Sequence, residues 1–259
     1  MKKSAKLFSQ NIAKTKKVGS GDLGSGLEVF FVAIAIFFTS QLVAGIIAGV
    51  LFSVISSGDV VDLFEQAGPQ FVFVLLAEAL AVWFVYLVVH VWKKASLGAI
   101  GLGRRPSWQD LRAGLLGFGV YYVILIIVLG LASWLIPSLN LDQEQSVGFE
   151  DIKGGFDQFF AFTSLVLLAP IGEEVVMRGY LYSGLRAKMK YMPALLITSL
   201  VFGAAHLEFG GTGPLVWVAA LTTFILSVVL VRQREKTGAI YASIMIHMLN
   251  NLVAFIVQF

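Results

Sequence analysis

The chain of 259 residues contains no cysteine, which excludes disulfides and thiolate metal sites and leaves its redox compartment undefined. Charge is scarce too: Asp, Glu, Lys and Arg make up 14% of the residues, against about 25% in an ordinary soluble domain. A water-soluble protein of this length would need more charge than that to cover its core. What the sequence has in excess is apolar, at 58%, and it comes in long uninterrupted blocks with no polar face to turn toward water. Lipid is therefore the expected solvent. The net charge of +3 does not indicate a nucleic-acid partner, because the basic residues sit in short loops between apolar blocks.

A bilayer core of about 30 Å takes about 20 helical residues. Seven segments come close, at roughly 29–54, 70–92, 113–136, 157–180, 193–208, 214–231 and 238–258. The expected fold is all-α, a polytopic transmembrane bundle of seven or eight spanning helices. The eighth would be a broken or re-entrant helix hidden between Gly148 and Phe160. Before the first span lies a basic tail, residues 1–26, rich in Gly and Ser and expected to be disordered or to lie on anionic lipid. Residues 27–259 form the bundle. The block from Val29 to Phe52 is too long and too far from the tail's charges for a cleaved signal, so it reads as a retained span.

Basic residues divide the loops by side. The tail carries Lys2, Lys3, Lys6, Lys14, Lys16 and Lys17, and later loops carry Lys93, Lys94, Arg104, Arg105 and Arg112, then Arg186, Lys188 and Lys190, then Arg232, Arg234 and Lys236. With seven spans all of these face the cytoplasm and the C-terminus lies outside. The opposite loops hold Asp59, Asp62, Glu65, Asp142, Glu144, Glu150, Asp151 and Asp157, with Lys153 as their single base. A bacterial plasma membrane is the expected setting.

Ionisable groups within a span are costly, so each calls for a functional hypothesis. They are Glu78, Glu173, Glu174, Arg178, His206 and His247, with Glu208 at a margin. In the fourth span Glu174 and Arg178 are four apart on one helical face and can form an ion pair, a structural role in the first instance. Glu173 points about 100° away, without that partner, which suits a general base. Measured along their helices from the basic side, Glu173 and His206 lie roughly 20 Å in and His247 roughly 15 Å, so the three can share a layer. Asn251, four residues after His247, shares its face and could join it in holding a developing oxyanion. Glu78 and Glu208 read more simply as a packing carboxyl and a helix cap, and His90 as an interfacial anchor.

The combination Glu-Glu-x-x-x-Arg (Glu173, Glu174, Arg178), Phe-x-x-x-His (Phe202, His206) and His-x-x-x-Asn (His247, Asn251) resembles the three motifs of the CAAX-protease and bacteriocin-processing (Abi) family, over about residues 165–255. The resemblance implies an all-helical membrane core of about eight helices, with its motif-bearing part at about 157–258, and hydrolysis of a peptide bond with these polar residues in the site. It implies a membrane-associated peptide or protein as substrate. Glu173 and His206 would activate water while His247 and Asn251 hold the oxyanion. Members of this family are often described as metalloproteases, and Glu173, His206 and His247 could supply three ligands to a divalent metal such as zinc, although the zinc-protease pattern His-Glu-x-x-His is absent. No cofactor is fixed by the sequence. Two other classes compete: a proton-linked transporter, against which stands the lack of an inverted repeat, and a non-catalytic scaffold or immunity protein.

Overall fold

The computed structural model describes residues 21–55, 66–138, 140, 141, 143, 148, 149, 152, 154–207 and 217–259. The basic tail lies outside them up to residue 20, as do Glu208, Lys153 and every acidic loop residue named above except Asp157. Among the described residues there are seven helices: α1 (Gly26–Ile55), α2 (Ala67–Trp92), α3 (Trp108–Leu135), α4 (Gly155–Lys188), α5 (Tyr191–Ala204), α6 (Val218–Thr237) and α7 (Tyr241–Gln258). Five of them, α1, α2, α3, α4 and α7, are long and apolar enough to cross a membrane. The chain is a multi-pass integral membrane protein with an all-α bundle. Of the region that could hide an eighth span, the part from Gly155 onward is the first turns of α4.

The helix ends differ from the hydropathy reading where polar chemistry sets them. α3 starts at Trp108, five residues before the apolar run, because Ser107 and Asp110 cap it: the Ser107 amide and hydroxyl both donate to Asp110 Oδ2, at 2.8 and 2.7 Å. α4 runs on to Lys188 and α6 to Thr237, carrying their basic residues as last turns, where cations favour the helix dipole. α5 is 14 residues long and ends at Ala204, short of the expected 208. Beyond it the His206 amide donates to the Gly203 carbonyl at 3.0 Å, so His206 sits on a closing turn and not inside a helix.

α4 occupies the centre, with α1 and α2 against one side and α5 and α7 against the other. Every residue from Val175 to Leu181 is buried. Ion pairs collect the basic loops at one end of the bundle. Lys93 pairs with Glu28, Lys188 with Asp22 at 2.8 Å, and Arg186 with Glu235 at 3.0 Å. There Arg104 clamps Asp110 through two 2.6 Å bonds, and its carbonyl accepts from the Tyr241 hydroxyl at the start of α7. The Lys188 ammonium holds the exposed Asp22 carboxyl below the usual carboxylate range. At the far end Phe255 of α7 and Phe259 just beyond it pack with Ala67, Phe149 and Ala161.

Close helix crossings rest on glycine. At Gly184 a Cβ would come within 2.5 Å of a Val29 methyl, so α1 and α4 touch through a missing side chain. Gly184→Ala is expected to destabilise the protein by about 1–3 kcal/mol through overpacking. Adding Val29→Ala should recover most of that loss, as read from thermal unfolding midpoints in one detergent. Equal midpoints for the wild type and Gly184→Ala would contradict the tight crossing.

Candidate active site

The site begins with an irregularity in α4. Pro170 has no amide hydrogen, so the turn before it cannot close in the ordinary way. The helix widens to π geometry over Thr163–Leu168, returns to α over Ala169–Glu174, and widens again over Val175–Leu181. Such π segments are frequent at functional sites. Between the two lie Gly172, Glu173 and Glu174.

Glu174 and Arg178 are both fully buried, and Arg178 Nη1 donates to Glu174 Oε1 at 2.7 Å. The Arg178 guanidinium also lies over the Phe202 ring, 4.2 Å from its centroid. His247 comes in from α7, with Nδ1 3.0 Å from the same Glu174 oxygen. An ionised carboxylate only accepts, so Nδ1 carries the hydrogen and the ring turns Nε2 toward Glu173. Nε2 stands 3.9 Å from Glu173 Oε2, too far for a hydrogen bond. Phe202 fills the space between the imidazoles. Its ring centroid is 4.8 Å from that of His206 and 5.6 Å from that of His247, the latter edge to face.

Glu173 and His206 share a cavity of about 100 Å³, whose other lining residues are Phe37, Gln41, Met177, Phe202 and Ala205. Glu173 Oε2 is buried and hydrogen-bonds no described protein group. His206 Nδ1 donates to the Phe202 carbonyl at 2.8 Å, and in the neutral ring this leaves Nε2 with its lone pair. Asn251 stands aside from this cavity: its Nδ2 donates to the Leu165 carbonyl at 2.9 Å, and its Oδ1 accepts from Asn250.

Glu78 is closer to this site than the sequence suggests. Its carboxylate occupies the notch at Gly172, so near that a Cβ there would meet Glu78 Oε2 at 1.8 Å. Among the described residues no cation pairs with it, and Glu173 is the charge it feels. Gln41, on the cavity wall, was not visible as a site residue. The available signal was an amide in mid-span of α1, a place where a polar group has a reason to exist. His90, on the exposed surface, stacks on Tyr86 away from this region.

Among the described residues no three carboxylate or imidazole side chains gather as a group able to hold a metal ion. The Nδ1 atoms of His206 and His247 are engaged by the Phe202 carbonyl and by Glu174, which leaves the Nε2 atom of each ring as the one open to another partner.

Fold and site together define a multi-pass membrane protein with carboxylates and imidazoles enclosed in its helix bundle. Residues 155–253, which are 99 of the 259, match the family described as Rce1-like, Type II CAAX prenyl endopeptidase Rce1-like. The matched stretch contains Glu173, Glu174, Arg178, His206, His247 and Asn251, so the similarity to this peptidase family falls on the residues of the site. No curated protein and no solved structure matches the chain significantly.

Arg178→Met leaves Glu174 charged and buried without its cation, and is expected to cost about 3–5 kcal/mol. Glu174→Gln added to Arg178→Met should restore part of that stability. The check is unfolding of both variants in detergent beside the wild type; a double variant less stable than the single one would contradict a charge-pair origin.

Proposed function

We propose that the protein is an intramembrane endopeptidase that cuts a membrane-associated peptide or protein by direct water attack, with Glu173 as general base and then general acid. The observation that carries this reading is the cavity shared by Glu173 and His206, with an unpaired buried carboxylate oxygen on its wall. Water bound between Glu173 and the His206 Nε2 lone pair gives one proton to the Glu173 carboxylate, and its oxygen adds to the peptide carbonyl carbon. The carbonyl oxygen becomes an oxyanion. His247, held through Nδ1 by Glu174, turns Nε2 toward Glu173, and a hydrogen on that atom is donated to the oxyanion. When the tetrahedral species collapses, the C–N bond breaks and the proton on Glu173 passes to the departing amine. Water and the peptide bond are consumed, a carboxylic acid and an amine are released, and Glu173 regains its starting form.

Asn251 acts from the next layer of α7. One hydrogen of its amide is used on Leu165 and the residue does not line the cavity, so the other hydrogen reaches the oxyanion only with the substrate bound. No step passes through a metal ion. The basic end of the bundle faces the cytoplasm on this reading, so the C-terminal end of α7 lies on the far side.

A transporter would use the same groups to relay protons, but the cavity is small, about 100 Å³, and the family match is to peptidases. Cleavage of membrane-anchored peptides in proteoliposomes tests the reading. Glu173→Gln and His206→Ala are each expected to lower kcat by at least about 10²-fold with the protein still folded. Asn251→Ala should lower it less than His247→Ala does. Full activity in Glu173→Gln would end the proposal.

A further inference from the structure

The family match begins at residue 155, yet the cavity is not closed by the helices that follow. α1 supplies part of its wall through Phe37 and Gln41, one helical turn apart. Gln41 stands fifteen residues into α1, roughly 22 Å along its axis, at the level where lipid is most apolar. A primary amide there is expensive unless something pairs with it. The ordinary explanation is a hydrogen bond to a neighbouring helix. Gln41 makes none with any described residue; it is half-buried, and it lines the cavity with Glu173 and His206. The remaining wall, Phe37, Met177, Phe202 and Ala205, offers no polar side chain.

We propose that Gln41 is a substrate-binding residue that hydrogen-bonds the backbone of the peptide being cut, so that α1 completes a site whose reacting groups come from α4, the turn after α5, and α7. This rests on the peptidase reading. A peptide that leaves water for this cavity gives up the hydrogen bonds of its N–H and C=O groups, and each must be replaced. Glu173 and His206 are committed to the attacking water. An amide side chain is donor and acceptor at once and does not titrate, which makes it the complement of a peptide unit and unfit for acid–base work. The contact is present in ground state and transition state alike, so its loss is a loss of binding.

Methionine approximates the length and volume of glutamine without its polar atoms, and Gln41→Met therefore isolates the hydrogen bonds. The probe is a farnesylated fluorogenic peptide with a C-terminal Cys-aliphatic-aliphatic-Met sequence, measured with the full chain in proteoliposomes. KM should rise about 10–100-fold, the range expected for a peptide group left unpaired, with kcat within about threefold of wild type. In the Glu173→Gln background, the Kd of a labelled version of the same peptide should rise by a similar factor on adding Gln41→Met. Gln41→Leu takes its place if Gln41→Met does not yield folded protein. Unchanged KM and Kd beside an active wild type overturn the role of Gln41 and leave the peptidase reading standing. A fall in kcat with KM and Kd unchanged overturns it too. If the wild type binds the peptide without cutting it, the peptidase reading fails, while the Kd comparison still decides on Gln41. A peptide neither bound nor cut overturns both.

Discussion

The structure depends on one buried ion pair. Glu174 and Arg178 carry full charges in the middle of the bundle, where a lone charge would be prohibitively costly. Each is therefore held by more than the other. Glu174 also receives His247 from α7, and Arg178 lies on the face of Phe202 from α5. Two hydrogen bonds and one cation–π contact thus bind α4, α5 and α7 around a single carboxylate. With Glu174 committed to that junction, Glu173 must face elsewhere, since neighbouring helical residues diverge by about 100°. The unpaired carboxylate on the cavity wall is the geometric consequence of its paired neighbour.

The backbone of α4 is shaped to the same end. Regular α geometry from Gly155 to Lys188 would carry each side chain around at a constant pitch, but the widened turns on both sides of Ala169–Glu174 shift the register where the acids emerge. Pro170 gives the first widening a cause, because the carbonyl it would have bonded has no amide to accept from. Gly172 then lets α2 approach until the Glu78 carboxylate fills the place of a side chain. The result is a second carboxyl beside Glu173 with no described cation to serve it.

Most of the fold was legible because apolar runs in a membrane protein answer to one variable, the thickness of the hydrocarbon. The seven runs correspond to the seven helices, and the errors fall at ends where side-chain chemistry outweighs hydropathy, as at Ser107 and Asp110. α5 shows the limit of the method. Hydropathy carries the run past His206, whereas the chain turns at Ala205, and nothing in the apolar content of that stretch marks the turn. The pairing of Glu174 with Arg178 follows from a spacing of four and could be read directly. The approach of His247 to Glu174 depends on how α7 rotates against α4, a tertiary fact with no local signature. Gln41 and Glu78 fall in the same category. Each reads as one polar residue in an apolar span, and what distinguishes a packing amide from a cavity wall is the helix opposite.

The residues matched to the family include the proposed reacting groups, and the helices before them supply part of the wall around them. Phe37 and Gln41 of α1 and Glu78 of α2 all meet α4 or its cavity at the level of Gly172 and Glu173. Chemistry of this kind requires little of a substrate beyond a peptide bond presented to water, so the acids and imidazoles alone would discriminate poorly among peptides. Discrimination comes from the groups that must pair with or pack against the rest of the bound chain. On the peptidase reading the groups placed to do so include Phe37 and Gln41 of α1 and Glu78 of α2, outside the matched stretch. On that reading, a protein that kept α4 to α7 and changed these two helices is expected to retain the reaction and alter what is cut.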